Sequence, residues 1–264
     1  MLPEHARRFG FALLRVLLLA YLAYVGMLYW MQREFIYYPM PDISGNGEPA
    51  YSLQREDGVT LRGWVINPGR EQAILYFGGN AERLSYTIDV AKTRFSDYSV
   101  YLVHYRGYGD SEGEPGEQAL LADALAVYDD IRPDHRRIAV IGRSLGSAIA
   151  SHVASQREVD RVVLITPFDS IEHIAKANYP GVPISLLLKD KYESWKFVQH
   201  IRAPTLVLIA EHDRIVPRRF TDNLLRYFRE GRVTAQKLEG TDHVSISHHP
   251  EYYPRIARFL DARE

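Results

Sequence analysis

Ser144, Asp213 and His243 are of the types, and stand in the order, that nucleophilic acyl transfer requires. A serine hydroxyl attacks a carbonyl only when a base takes its proton, and an imidazole serves best when a carboxylate orients it. Ser144 lies in Gly142-Arg143-Ser144-Leu145-Gly146. The pattern Gly-x-Ser-x-Gly is loose: at average composition about one chain in ten of this length carries it by chance. Its physical meaning comes from a strand running into the serine and a helix running out, because the tight turn between them holds the hydroxyl clear of the sheet. Residues 137–141 read as a short buried strand, and residues 145–154, rich in Ala, Ser, Ile and Val, read as a helix. The pattern recurs at Gly109-Asp110-Ser111-Glu112-Gly113, but the following Glu114, Pro115 and Gly116 are loop residues. Ser111 is therefore assigned to a surface or site-rim loop.

On a strand–turn–helix mount the chain order is serine, then acid, then histidine. Asp213 stands just past an apolar strand over 205–209, a rigid seat for a carboxylate. His243 lies in Glu239-Gly240-Thr241-Asp242-His243, between the last strand and the last helix. Asp169, which also tops a strand, is an alternative acid. Asp242 adjoins His243, and adjacent side chains point apart; His248 and His249 precede Pro250 at a helix start. Stabilising the oxyanion takes two N–H donors aimed where negative charge develops. The N–H of Leu145, next after the serine, is one. The other is expected from Gly78-Gly79-Asn80-Ala81, after the strand over 73–77, with the Asn80 N–H as the donor.

These residues need a sheet to carry them. Period-two runs over 51–55 and 59–66 are joined across Asp57-Gly58, a hairpin signal. Apolar runs over 73–77, 99–103, 162–165, 205–209 and 234–238 alternate with helical spacing over 82–95, 117–131, 218–228 and 251–260. Residues 44–49 form a Gly/Pro/Asn turn region. Buried strands separated by helices specify an α/β fold: a mostly parallel eight-stranded sheet, helices on both faces, and an antiparallel edge from the first hairpin. One connection, 167–202, exceeds a normal crossover and holds Pro180, Pro183, Leu186, Leu187, Leu188 and Trp195. It reads as a small lid over the carboxyl ends of the strands, where open α/β sheets bind ligands, with a packed structural helix as the alternative.

Residues 9–31 are of another kind, with Arg15 as the single charge and none from Val16 to Met31. About twenty apolar residues cross a bilayer, and Tyr29 and Trp30 stand where interfacial aromatics belong. Arg7, Arg8 and Arg15 precede or enter the run, whereas Arg33 is balanced by Glu34. The positive-inside rule then places the N-terminus in the cytoplasm and the rest beyond the membrane, periplasmic in a bacterium. The domains read as an anchor and juncture over 1–41, with a cleaved signal peptide or a buried core helix as the alternatives for its apolar run, and one catalytic domain over 42–264. A net charge of −1 offers no basic field for nucleic acid, and the absence of cysteine excludes disulfides and thiolate chemistry.

Together these motifs resemble the alpha/beta hydrolases, and more narrowly their membrane-anchored branch of depalmitoylases, lysophospholipases and serine aminopeptidase-like proteins. The likeness extends from Phe35-Ile36-Tyr37-Tyr38-Pro39 and Gly79-Asn80-Ala81 through Tyr105-Arg106-Gly107-Tyr108-Gly109 to the Ser144, Asp213 and His243 segments. It departs at Gly78, where relatives carry His, and at His104, where they carry Asp. Gly78 is expected to loosen the oxyanion loop, and His104 to pack a loop. The resemblance implies a serine hydrolase, with no metal or organic cofactor. The expected partners are a small acyl ester or thioester delivered from a membrane, and the membrane itself. A peptidase, with Glu112 or Glu114 holding a substrate amine, and a non-catalytic tethered binding protein are the alternatives.

Overall fold

The computed structural model describes residues 4–42, 47–48 and 50–262; the turn region expected over 44–49 lies mostly outside them. Helix α1 (Glu4–Ile36) leads into strands β1 (Ala50–Gln54), β2 (Thr60–Ile66) and β3 (Gln72–Phe77). Helix α2 (Ile88–Arg94), β4 (Tyr98–Val103), α3 (Glu117–Ile131), β5 (Arg137–Arg143), α4 (Leu145–Gln156) and β6 (Val162–Ile165) follow. Three short helices, α5 (Ile171–Asn178), α6 (Ile184–Leu187) and α7 (Ser194–Val198), fill the long connection. The chain then runs β7 (Thr205–Ala210), α8 (Arg218–Leu225), β8 (Val233–Leu238) and α9 (Tyr252–Asp261).

The eight strands form one sheet in the order β1-β2-β4-β3-β5-β6-β7-β8. Strands β1 and β2 pair antiparallel, as do β2 and β4, and every other pair is parallel. Strands buried on both faces must be apolar at nearly every position, and their alternate residues feed two separate cores. In β5, Ile138 and Val140 join α3 and α4 through Leu120, Val127, Ile149 and Val153. Ala139 and Ile141 face the other way, toward Ile88 and Ala91 of α2 and Ile256 and Leu260 of α9. Truncating a wholly buried residue such as Leu164 costs about 2–5 kcal/mol, through lost transfer energy and the cavity left behind.

Two elements differ from the sequence reading. The helix expected over 82–95 is divided into a 3₁₀ turn at Leu84–Thr87 and then α2. The Asp42 carboxylate takes the Ser85 N–H at 3.1 Å and the Ser85 hydroxyl at 2.5 Å, anchoring the 3₁₀ turn. In the long connection, Asp190, Tyr192, Ser194, Val198 and Ile201 are buried, so its second half is core. The lid expected over 167–202 is therefore limited at most to α5, α6 and the turn between them.

Helix α1 spans 33 residues, about 50 Å at 1.5 Å per residue. Its Arg8–Ile36 stretch is long and apolar enough to cross a membrane, and the most apolar part of it is not buried against the protein. Its C-terminal end is built into the domain. Ile36 and Tyr37 enter the core, and the Tyr37 hydroxyl meets that of Tyr192 at 2.9 Å. The strap that follows runs over the carboxyl ends of the strands: the Met40 carbonyl accepts from the Gly109 N–H, and Asp42 pairs with buried His104 at 3.0 Å. Burial pushes the Asp42 carboxyl up, but hydrogen bonds from Ser85 and His104 outweigh it and hold it below the ordinary carboxylate range.

Candidate active site

Steric necessity builds the turn at Ser144. A Cβ on Gly142 would overlap the Gly146 carbonyl oxygen, and one on Gly146 would overlap the Phe77 carbonyl oxygen. Only glycine lets β5 turn into α4 this tightly against β3. Ser144 is left at φ 50° and ψ −116°, a backbone conformation that costs a non-glycine residue about 1–3 kcal/mol. Its own N–H is bound to the Ile165 carbonyl at 2.9 Å, which fixes the turn to the end of β6.

His243 Nε2 lies 2.9 Å from Ser144 Oγ, and His243 Nδ1 lies 2.7 Å from Asp213 Oδ2. The carboxylate claims the Nδ1 proton, so the neutral imidazole presents its Nε2 lone pair to the serine hydroxyl. The other oxygen of Asp213 accepts the Ile215 and Val216 N–H groups at 2.9 and 2.7 Å, and the carboxylate is nearly buried. Asp213 follows β7 and His243 follows β8, so both stand at the carboxyl edge of the sheet with Ser144. Asp169 is drawn elsewhere, accepting from His173 at 2.7 Å and from the Asn223 side chain. Asp242 turns back to cap Val244 and Ser245.

Ser111 is a correction to the surface or rim position expected of it. It is buried, its Oγ accepting from the Arg62 N–H at 2.8 Å and donating to the His104 carbonyl at 3.0 Å. This second Gly-x-Ser-x-Gly is a structural tie between β2 and the loop after β4. Glu112 is also committed, receiving Arg62 Nη2 at 2.8 Å and the Thr60 N–H at 3.1 Å.

The loop after β3 lies over the serine: the side-chain direction of Gly79 points to within 3.8 Å of Ser144 Cβ. The Gly79 N–H is taken by Glu82 Oε2 at 2.7 Å, which removes it as a donor to substrate. The Asn80 side-chain oxygen accepts from the Tyr108 hydroxyl at 2.7 Å and the Tyr38 N–H at 3.0 Å. The Gly78 carbonyl accepts from the Tyr105 hydroxyl at 2.8 Å, and Leu84 occupies the space that a Cβ at Gly78 would need. The loosening expected of Gly78 is thus countered by a clamp from Tyr105 and Glu82. Burial, reinforced by the nearby Glu82, raises the Tyr76 and Tyr105 phenols well above their ordinary range, so both remain donors at neutral pH. Tyr76 donates to Glu82 Oε1 at 2.6 Å.

Sequence reasoning missed Arg143, Glu82 and Tyr105. Arg143 Nη1 lies 3.6 Å from Glu82, and Nη2 donates to the His243 and Val244 carbonyls at 3.2 Å each. One guanidinium thus joins the oxyanion loop to the histidine loop. No group of three or more His, Asp or Glu side chains among the described residues is placed to hold a metal ion.

With this geometry in place, comparison with known proteins is specific. The serine aminopeptidase (S33) family profile matches residues 70–189. The chain is 35% identical to uncharacterized protein Rv2307c of Mycobacterium tuberculosis, over 76% of this chain and 77% of that one. It is 31% identical to lysophosphatidylserine lipase ABHD12 of Macaca fascicularis, covering 81% of this chain and 67% of the relative. Among solved structures, the Pyrococcus furiosus esterase Pf2001 superposes with a TM-score of 0.67 at 20% identity, over 84% of this chain and 98% of the esterase. The strand order, the turn at Ser144 and these relatives converge: the chain belongs to the alpha/beta hydrolase superfamily and is a serine hydrolase.

Proposed function

We propose that the protein hydrolyses carboxylic esters or thioesters of acyl-lipid type at a membrane surface, with Ser144, His243 and Asp213 as its catalytic triad. The unbroken hydrogen-bond chain from Asp213 through His243 to Ser144, at 2.7 and 2.9 Å, carries this reading. As Ser144 Oγ bonds to the substrate carbonyl carbon, its proton passes to His243 Nε2 and Asp213 stabilises the imidazolium. The carbonyl oxygen becomes an oxyanion held by the N–H groups of Leu145 and Asn80. Such preorganised donors contribute about 3–4 kcal/mol each in a water-poor site. The intermediate collapses as His243 returns the proton to the departing alkoxide or thiolate, leaving an acyl-enzyme on Ser144. Water, deprotonated by His243, then attacks the acyl carbon, and the proton returns to Ser144 as the carboxylic acid leaves.

Helix α1 anchors the domain, with the N-terminus cytoplasmic and residues 42–264 on the far side. The apolar exposed face of α1 and the lipase among the relatives support a substrate that arrives from the bilayer. The test is a panel of lipid esters, acyl thioesters and aminoacyl amides on the full chain in detergent, with fluorophosphonate labelling alongside. Ester or thioester turnover, lost together with labelling in Ser144→Ala, is the expected result. Turnover confined to aminoacyl amides, or unchanged in Ser144→Ala, would refute the reading.

A further inference from the structure

The covering segment after α5 does not stand free above the site. It runs alongside the C-terminal part of α1, parallel to it, from Tyr21 to Arg33. Asp190 accepts from Arg33 Nε at 3.0 Å, and Gln32 exchanges two hydrogen bonds with the segment, donating to the Leu187 carbonyl at 3.3 Å and accepting the Lys189 N–H at 2.7 Å. The Lys189 ammonium sits 4.5 Å from the centre of the Tyr29 ring. At the far end, the Tyr21 hydroxyl donates to the Gly181 carbonyl at 2.8 Å. From Arg33 back to Tyr21 the helix falls about 18 Å, at 1.5 Å per residue.

That distance matters because of where Tyr21 lies in α1. The uncharged stretch of the helix runs from Val16 to Met31. A hydrocarbon core about 30 Å thick takes about twenty residues, so any placement that uses this stretch buries Tyr21 about 10–15 Å beneath the outer boundary. Gly181, bound to the Tyr21 hydroxyl, lies within one tyrosine side chain of that depth. The segment has the composition for it: residues 179–188, Tyr-Pro-Gly-Val-Pro-Ile-Ser-Leu-Leu-Leu, carry no charge, and Lys189 and Asp190 follow immediately. Leu186 is 86% exposed to solvent, an arrangement that water disfavours and lipid does not. The Tyr21–Gly181 pair also fits. Non-helical backbone enters hydrocarbon only where it packs against protein, and the Tyr21 hydroxyl on the turn carbonyl is such a docking contact. The Lys189–Tyr29 contact and the Arg33–Asp190 pair fall at the headgroup level, where long cations and aromatic rings settle.

We infer that residues 179–188 are immersed in the outer leaflet beside α1, so that the cover of the active site is a lipid-bathed loop docked on the anchor. The occupant of its exposed apolar face is the bilayer itself. This rests on the reading of α1 as a membrane span. The absence of native cysteine permits single-site labelling. Full-length Leu186→Cys, Leu17→Cys and Gln156→Cys variants, each carrying an environment-sensitive NBD fluorophore, are reconstituted into phosphatidylcholine vesicles with or without brominated acyl chains. All three positions are exposed. The expected result is loss of about half or more of the emission at Leu186 and Leu17, because bromines confined to the hydrocarbon quench only probes that enter it, with Gln156 unaffected. Quenching at Leu17 with none at Leu186 overturns immersion while the anchor stands. No quenching at Leu17 overturns the anchor and the immersed loop together. Fluorophosphonate labelling of Ser144 in the same vesicles reports separately on the hydrolase reading.

Discussion

The guanidinium of Arg143 is bonded to the main-chain carbonyl of His243, 100 residues further along the chain, at 3.2 Å. The residue that precedes Ser144 thus holds the loop that carries His243. The same side chain faces Glu82, which occupies the Gly79 N–H. The His243 loop, the turn at Ser144 and the loop after β3 share one cation.

Replacing Arg143 by Met keeps much of its bulk and removes those bonds. We expect kcat/KM on a short p-nitrophenyl ester to fall about 10–100-fold, since displacements of about 1 Å in a reacting group cost that much. Arg143→Lys should recover part of the loss, and fluorophosphonate labelling should slow but persist. Wild-type kinetics in Arg143→Met would remove Arg143 from the positioning role.

The strain at Ser144 has its own signature. Ser144→Gly and Ser144→Ala should both lose activity, but glycine adopts a φ of 50° without penalty. Ser144→Gly should therefore be the more stable of the two, by about 1 kcal/mol, read as a higher midpoint in thermal unfolding. Equal midpoints would contradict a strained elbow.

Asp42 should make stability depend on pH at the acid end. Its carboxyl is held below the ordinary value of 3.8 by Ser85 and His104, so its contribution is complete above that value and lost as pH falls through the lower, folded one. Asp42→Asn should be less stable than wild type at pH 7, by about 1–3 kcal/mol for lost bonds to a charged group. The gap should close below pH 3.8. A gap unchanged between pH 7 and pH 3 would count against the assignment.

Tyr108 donates to the side chain of Asn80 and so braces the loop after β3, where the proposed oxyanion donor lies. Tyr108→Phe is expected to lower kcat about 3–10-fold, the effect of one lost hydrogen bond of about 1 kcal/mol, with KM nearly unchanged. A rise in KM at constant kcat would place the hydroxyl against substrate instead.

Gly146→Ala should yield little folded protein, because the new methyl overlaps the Phe77 carbonyl oxygen, part of a strand with no room to retreat. Soluble, monodisperse Gly146→Ala with a wild-type melting point would show that the turn has more slack than its geometry allows.

The elbow was legible from sequence because its constraints are local. Two glycines flank the serine, and the strand and helix on either side are written in adjacent residues. Asp213 and His243 were legible because each follows an apolar strand and stands in the order the architecture demands. Arg143 was not, because its partners come from loops on either side of it in the chain, and an arginine in a strand–helix turn carries no mark of them. Ser111 was misplaced for a related reason. Its loop composition is polar, yet the hydroxyl goes inward because Arg62 and His104 of neighbouring segments need a partner there. The helix expected over 82–95 broke at Ser85 because Asp42, more than forty residues earlier, anchors that turn.

The strap between α1 and β1 bears on how such a protein can be rearranged. A tether that merely localises a domain is exchangeable, and any apolar helix of sufficient length would serve. Here Arg33, Tyr37, Tyr38 and Asp42 bind Asp190, Tyr192, Asn80 and His104 in turn. Grafting the domain onto a foreign anchor at residue 42 would strip away the first three of these contacts, including the one on Asn80, beside the active-site turn. The module that recombination or engineering can move intact is helix and hydrolase together.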